Sequence, residues 1–270
     1  MKYFLYIDIL GFSDLVTSDP GRVHDLYQVV ASLNVHRHYA FKAIVFSDTI
    51  LIYNTTDPEN SYDQNYLVMY LCEFAQDLQH RLAGRDISFR ALLTYGDFTH
   101  YTLNGIPCFF GQALIDAHRL EKTIKSVGLF IDHSCNVYNS IFDTSPFNEN
   151  LNFVFLTQSL KQLEEMYADA FPIDGWILEE TDICWHLVPE VMMVQRIYEN
   201  MKTHSCDKVR AKYASAWEFY RKRYPKTLSI LEESKFDLNR ISPSLDWKPI
   251  CDSFPKDYSY ILKNNSFRQD

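Results

Sequence analysis

The sequence predicts an α+β fold, a mainly antiparallel sheet carrying helices, followed by a helical C-terminal appendage. Three observations predict it: apolar runs of strand length alternate with helically spaced segments in the first half, their order is that of a split βαβ unit, and the pattern turns purely helical after about residue 156. Residues 3–9, an aromatic and β-branched run ending at Leu10-Gly11, read as a buried strand. Ser18-Asp19-Pro20-Gly21 supplies helix-start signals, and Val23, Leu26, Tyr27, Val30, Leu33 and Val35 recur at three- and four-residue steps, predicting a helix over 22–38. Residues 43–46 and 49–53 flank Ser47-Asp48 as two strands flank a tight polar turn. After a polar loop over 54–62, Tyr66, Met69, Tyr70, Cys72, Phe74, Leu78 and Leu82 predict a second helix closed by Gly84, and 87–95 alternate as a strand.

Strand, helix, strand, strand, helix, strand is the order of ferredoxin-like and palm-type domains, with helices over one face of an antiparallel sheet. A strand over 107–110, a helix over 112–125, a strand over 128–132 and another over 153–156 are predicted to extend it. The expected organisation is one catalytic domain over 1–156 and a helical extension over 157–270, packed on that domain or on a dimer partner. Within the extension, 198–220 and 227–235 read as helices, and the last thirty residues carry turn chemistry suited to a loose tail or a surface-wrapping chain.

Composition narrows the function. A net charge of -9 argues against a general attraction to nucleic acid or anionic lipid, since both are polyanions. Hydrophobic residues at 47% and aromatics at 15% supply a packed core. The six cysteines lie without C-x-x-C pairs or zinc spacing, which predicts reduced thiols and a cytoplasmic protein. No run of about eighteen apolar residues predicts a membrane span. Asn265 sits in a glycosylation-like triplet that the cytoplasmic reading makes coincidental, and His36-Arg37-His38 reads as a solvated cluster complementing a helix dipole.

The residues that suggest chemistry are Asp8, near the end of the first strand, and Asp48, at the hairpin tip. In the split βαβ order these strands are neighbours, so the two carboxylates meet. Paired carboxylates on rigid strands suit Mg²⁺ or Mn²⁺, which prefer oxygen and leave positions open for substrate phosphates. Gly11 and Phe12 follow where the chain turns toward a helix, a place where backbone N–H groups can hold phosphate oxygens.

Tyr6-Ile7-Asp8-Ile9-Leu10-Gly11-Phe12-Ser13 closely resembles the D-I-x-G-F-[ST] signature of class III nucleotidyl cyclase catalytic domains. Val45-Phe46-Ser47-Asp48 is similar to the hairpin bearing that family's second metal aspartate, and the run from Arg90 to Gly96 to its R-x-G-I-x-x-G strand. The run from Gly111 to Arg119 resembles its G-x-x-V-N-x-A-x-R helix, keeping glycine, alanine and arginine in step. The resemblance spans residues 3–135 and implies the class III cyclase fold. It further implies two divalent cations, Mn²⁺ or Mg²⁺, bound by Asp8, Asp48 and the Ile9 carbonyl, and phosphates held by the backbone of Leu10, Gly11 and Phe12. Arg119 would stabilise the transition state, Arg90 would contribute to substrate binding, and a homodimer would form composite sites.

The departures from the family pattern bear on substrate. Ile115 stands where the family has its transition-state asparagine, and Asp116, one step on, is rotated by about 100° on a helix. The base-reading pair corresponds to Ile44 and Cys108, and Ile44 offers no hydrogen bond to select a purine. The blocks are most similar to the Pycsar pyrimidine cyclases of bacterial antiphage defence, which implies UTP or CTP as substrate and a separate effector that responds to the cyclic nucleotide. Phe41, Lys42 and Tyr95 are further candidates near the base. The alternatives are a degenerate cyclase-fold module that binds without turnover and a purine cyclase.

Overall fold

The computed structural model describes residues 1–253, so the readings of the final tail beyond that point and of Asn265 lie outside the described residues. The chain divides into two units. The first comprises Met1–His24, Leu33–Asp77 and Ile87–Leu156; the second comprises Asp25–Ser32, Leu78–Asp86 and the residues from Thr157 on. The expected boundary after residue 156 coincides with one division, but two segments expected inside 1–156 cluster with the C-terminal half. They are the ends of helices whose earlier turns belong to the first unit, so no loop in the sequence marks the change.

The first unit is α+β. Strands β1 (Lys2–Leu10), β2 (Phe41–Phe46), β3 (Thr49–Asn54) and β4 (Ser88–Gly96) stand in the order β2-β3-β1-β4, all pairs antiparallel, which is the ferredoxin-like arrangement. Strands β5 (Thr99–Leu103) and β6 (Ile106–Phe110) form a separate hairpin. Strands β7 (Gly128–Asp132), β8 (Thr144–Pro146) and β9 (Leu151–Val154) extend the sheet to seven in the order β2-β3-β1-β4-β7-β9-β8, with β4 and β7 its parallel pair. Fully buried Phe4, Leu5, Ile7, Leu92, Leu93, Phe130 and Ile131 lie on the central strands, which explains why these read as near-continuous apolar runs. Helices α1 (Phe12–Ser18), α2 (Pro20–Ser32), α3 (Ser61–Leu82), α4 (Gln112–Glu121) and α5 (His133–Asn136) complete the first half.

Several boundaries differ from expectation for local reasons. The helix expected over 22–38 ends at Ser32, because Leu33 is extended, and a 3₁₀ turn, Asn34–Arg37, follows. His38 is half-buried rather than solvated: its Nε2 meets the Tyr66 hydroxyl at 2.7 Å and its ring stacks on Tyr39. Strand β5 was not anticipated. Helix α4 ends at Glu121, four residues early, where the Thr123 hydroxyl donates back to the Leu120 carbonyl.

The described part of the second unit is helical: α6 (Gln158–Gln162) running into a π-turn at Leu163–Tyr167, then α7 (Gly175–Glu180), α8 (Ile183–Thr203), α9 (Asp207–Arg223), α10 (Pro225–Glu233) and α11 (Trp247–Ser253). The helix read across 198–220 is broken at residues 204–206. Tyr198, Trp217 and Phe236 form an aromatic cluster, and the Thr157 hydroxyl meets the buried Tyr224 hydroxyl at 2.9 Å. Trp185 on α8 is exposed. No helix of the described residues is long and apolar enough to cross a membrane.

Candidate active site

The first unit sets Asp8 and Asp48 on adjacent strands. Asp8 pairs in register with Thr49, the residue after Asp48, and the Ile9 N–H donates to the Asp48 carbonyl at 2.9 Å, binding the hairpin tip to the end of β1. The connection between β2 and β3 is two residues long, and Ser47 takes φ 55°, the left-handed conformation that such a tight turn demands of its first residue. The Tyr6 hydroxyl lies within electrostatic reach of both carboxylates. Burial pushes that phenol up, a hydrogen bond with Thr49 lowers it, and Asp8 and then Asp48 push it up again by repelling the phenolate. Strand pairing thus sets the backbones of Asp8 and Asp48 side by side, and both residues are partly exposed.

Gly11 closes β1 in the left-handed region at φ 73° and a Cβ there would meet nothing within 4 Å, so its backbone angle rather than space calls for glycine. Leu10 is the last residue of β1 and Phe12 the first of α1, with the Phe12 side chain buried.

Arg90 does not face outward. It lies opposite Asp8 in the β1–β4 register and is only 8% exposed. Its Nη2 donates to Asp8 Oδ2 at 2.9 Å and pairs with Glu121 Oε1, and its Nη1 donates to the Ile124 carbonyl at 2.7 Å. The expectation that Arg90 meets substrate is thus revised: the end of its guanidinium is engaged by protein groups beneath the aspartate.

Helix α4 presents its other candidates outward. Ile115 is exposed, and Arg119 is exposed and pairs with Asp116 at 3.6 Å, while Asp116 also accepts from the Gln112 side-chain amide at 2.8 Å. Half-buried Ile44 lies on β2, and the half-buried Cys108 thiol on β6 donates to the Ile106 carbonyl, so these two stand on different sheets.

Sequence reasoning missed three residues here. Tyr6 lies two positions before Asp8, on the same strand face. His118 Nδ1 approaches the Tyr6 hydroxyl at 3.4 Å. Glu121 had a readable signal, because Ala113, Ala117 and Glu121 recur at four-residue steps on the buried face of α4, and a carboxylate in an apolar stripe needs a partner.

Among the described residues, no three His, Cys, Asp or Glu side chains converge as metal ligands. Two carboxylates and a backbone carbonyl still fit a hard cation that takes its remaining ligands from water and phosphate oxygens. The site is rich in oxygen and lacks thiolate, which suits Mg²⁺ or Mn²⁺ rather than softer metals.

No protein-family model and no curated protein matches the chain. Solved structures do. The adenylyl cyclase CyaB of P. aeruginosa is 13% identical over 57% of this chain and 95% of its own, with a TM-score of 0.40. The guanylyl cyclase domain of the RhoGC fusion protein of Blastocladiella emersonii is 15% identical over 57% and 93%, with a TM-score of 0.41. The guanylyl cyclase Cya2 is 11% identical over 57% and 90%, with a TM-score of 0.35.

Proposed function

We propose that the chain is a nucleotidyl cyclase that converts a pyrimidine nucleoside triphosphate, UTP or CTP, to its 3′,5′-cyclic monophosphate and pyrophosphate. The observation that supports this reading is the junction of β1 with the β2–β3 hairpin, where the Ile9–Asp48 backbone bond and the Asp8–Thr49 register set the backbones of Asp8 and Asp48 side by side. Divalent cations held by Asp8 and Asp48 would supply Lewis acidity at the ribose 3′-hydroxyl and charge against the departing pyrophosphate. The chain's own residues do the positioning. Asp8 and Asp48, with the Ile9 carbonyl, supply oxygen ligands from strand ends fixed by sheet hydrogen bonds, and the backbone of Leu10, Gly11 and Phe12 offers N–H groups to the phosphates.

In this reading the chain acts as a homodimer with composite sites, and exposed Arg119 would meet the charge that develops on the α-phosphoryl oxygens. The pyrimidine assignment rests on Ile44, whose alkyl side chain has no group to select a purine edge, and on the similarity of the sequence blocks to defence cyclases. A cyclic pyrimidine nucleotide would then act on a separate effector in the cytoplasm.

The test is incubation of the purified protein with each of the four ribonucleoside triphosphates and Mn²⁺, products being identified by mass spectrometry, with Asp48→Ala as control. Cyclic UMP or cyclic CMP is expected from the wild type, with a loss of at least about 10²-fold in the variant. A cyclic purine nucleotide would remove the pyrimidine assignment. Nucleotide binding without any cyclic product would make the chain a binding module.

A further inference from the structure

Arg90 stands between two carboxylates, and the arrangement raises an electrostatic problem. A guanidinium that donates to Asp8 Oδ2 at 2.9 Å orients that carboxylate, yet its charge repels any cation that Asp8 would bind. A lone arginine in this place would thus hold the ligand and weaken the site together. Glu121 resolves the conflict. It is 6% exposed, occupies the buried face of α4 and pairs with the same Nη2 that contacts Asp8. The Ile124 carbonyl, just beyond α4, accepts from Nη1, so the guanidinium is fixed from the helix side as well as from the strand side. Burial removes the screening that would otherwise let water neutralise Arg90.

We propose that Glu121 is a positioning residue of the cation site: it holds Arg90 against Asp8 and cancels its charge, so that Asp8 is oriented while remaining attractive to a divalent cation. This rests on the reading of Asp8 as a cation ligand. The pair is not required merely for packing, because replacing a buried ion pair by apolar groups of similar volume is commonly neutral or stabilising.

The experiment measures Mn²⁺ binding to the full chain, without nucleotide, from the electron paramagnetic resonance signal of free Mn²⁺, with thermal unfolding recorded for every variant. Asp8→Asn defines the binding that depends on the site. Glu121→Gln leaves the Arg90 charge uncancelled and is expected to weaken Mn²⁺ binding about tenfold, the effect of a like charge at contact distance. Adding Arg90→Met to Glu121→Gln removes that charge, and the affinity is expected to rise again to lie between those of the single variant and the wild type. A purely structural role predicts the opposite, with the second substitution deepening the loss. Should Glu121→Gln fail to fold, Arg90→Met/Glu121→Met is compared with wild type, and binding weaker than wild type is expected. Wild-type binding in Glu121→Gln, a double variant weaker than the single, or undiminished binding in the apolar pair overturns the proposal while leaving the cyclase reading intact. Absence of any Asp8-dependent Mn²⁺ binding in the wild type overturns both.

Discussion

Glu190 on α8 is wholly buried, and its carboxyl oxygens accept the backbone N–H groups of Ser159 and Leu160 at 3.1 and 2.8 Å, satisfying donors at the start of α6 that have no partner within that helix. His80 Nε2 lies 3.8 Å away, with the His186 ring tilted against the His80 ring, Arg81 beside it in sequence and Tyr220 within electrostatic reach of Glu190. Burial pushes Glu190 up to about 8, against the pull of the Leu160, Ser159 and Gln158 N–H groups, and pushes His80 down to about 3, so at pH 7 their approach joins two uncharged groups rather than an ion pair. The sign of the stability change follows. Glu190 keeps its proton in the folded protein up to about 8 but loses it near 4.5 when unfolded, so its contribution is complete below 4.5 and falls as pH rises toward 8. His80 stays neutral when folded and gains a proton near 6.5 when unfolded, so its contribution is lost as pH falls from 6.5 toward 3. The two slopes oppose one another between 4.5 and 6.5. Between 6.5 and 8 only Glu190 acts, at up to about 1.4 kcal/mol per pH unit. Urea unfolding at pH 6.5 and 8 is expected to show that fall in the wild type and a flatter dependence in Glu190→Gln, whatever the variant's absolute stability; equal slopes would place the ionisation elsewhere.

At the scale of elements, two glycines with positive φ separate space from backbone angle. Gly111 precedes α4 at φ 156°, and a Cβ there would stand 2.2 Å from the Asp97 carbonyl oxygen and 2.6 Å from Phe98 Cα, both backbone atoms. Gly105 turns the β5–β6 hairpin at φ 83° with nothing within 4 Å. Gly111→Ala is expected to cost about 3 kcal/mol and to disturb the placement of α4, whereas Gly105→Ala costs about 1 kcal/mol, the left-handed penalty alone. Chemical denaturation of the two variants measures the difference, and similar losses would mean that the chain around Asp97 yields. The same elements show what the sequence made legible. β1, the β2–β3 hairpin and β4 were readable because each is an apolar run ended by Gly11, Ser47-Asp48 or Gly96, and the topology of those runs brought Asp8 and Asp48 together. β5 was not, because its Thr-His-Tyr-Thr-Leu sequence is largely exposed and has no buried face to impose alternation; the Asn104-Gly105 turn beside it was the signal to use. Arg90 was read as a substrate ligand because its motif was legible and its burial was not. Burial became apparent only once β4 was set beside β1 and the Ala113, Ala117, Glu121 stripe of α4 faced the sheet.

At the scale of the whole molecule, the chain does not divide where its sequence pattern does. The second unit holds Asp25–Ser32 and Leu78–Asp86 together with the residues from Thr157 on, where the sequence changes to helical spacing. Within that second unit the Asp86 carboxylate pairs with Arg196, and a Cβ on Gly84 would stand 2.6 Å from Met192 Cε, so the segment after α3 is closely engaged by α8. A chain ended at residue 156 contains every strand of the seven-stranded sheet but lacks α8, which engages the segment after α3. Leu26, Val29, Val30, Leu78 and Leu82 are all at most 3% exposed in the full chain. Each is worth roughly 1.5–3 kcal/mol of burial. Were all five exposed together, the loss would rival the about 5–15 kcal/mol that separates a folded domain from its unfolded state. The fragment 1–156 is accordingly expected to be recovered as aggregate, or as a species that binds a hydrophobic dye and unfolds without a cooperative transition, even though every residue assigned to the proposed active site lies within it. A soluble fragment with a sharp melting transition would show that these two segments repack on the first unit when the helical half is absent, and that the C-terminal residues serve something other than completion of the core.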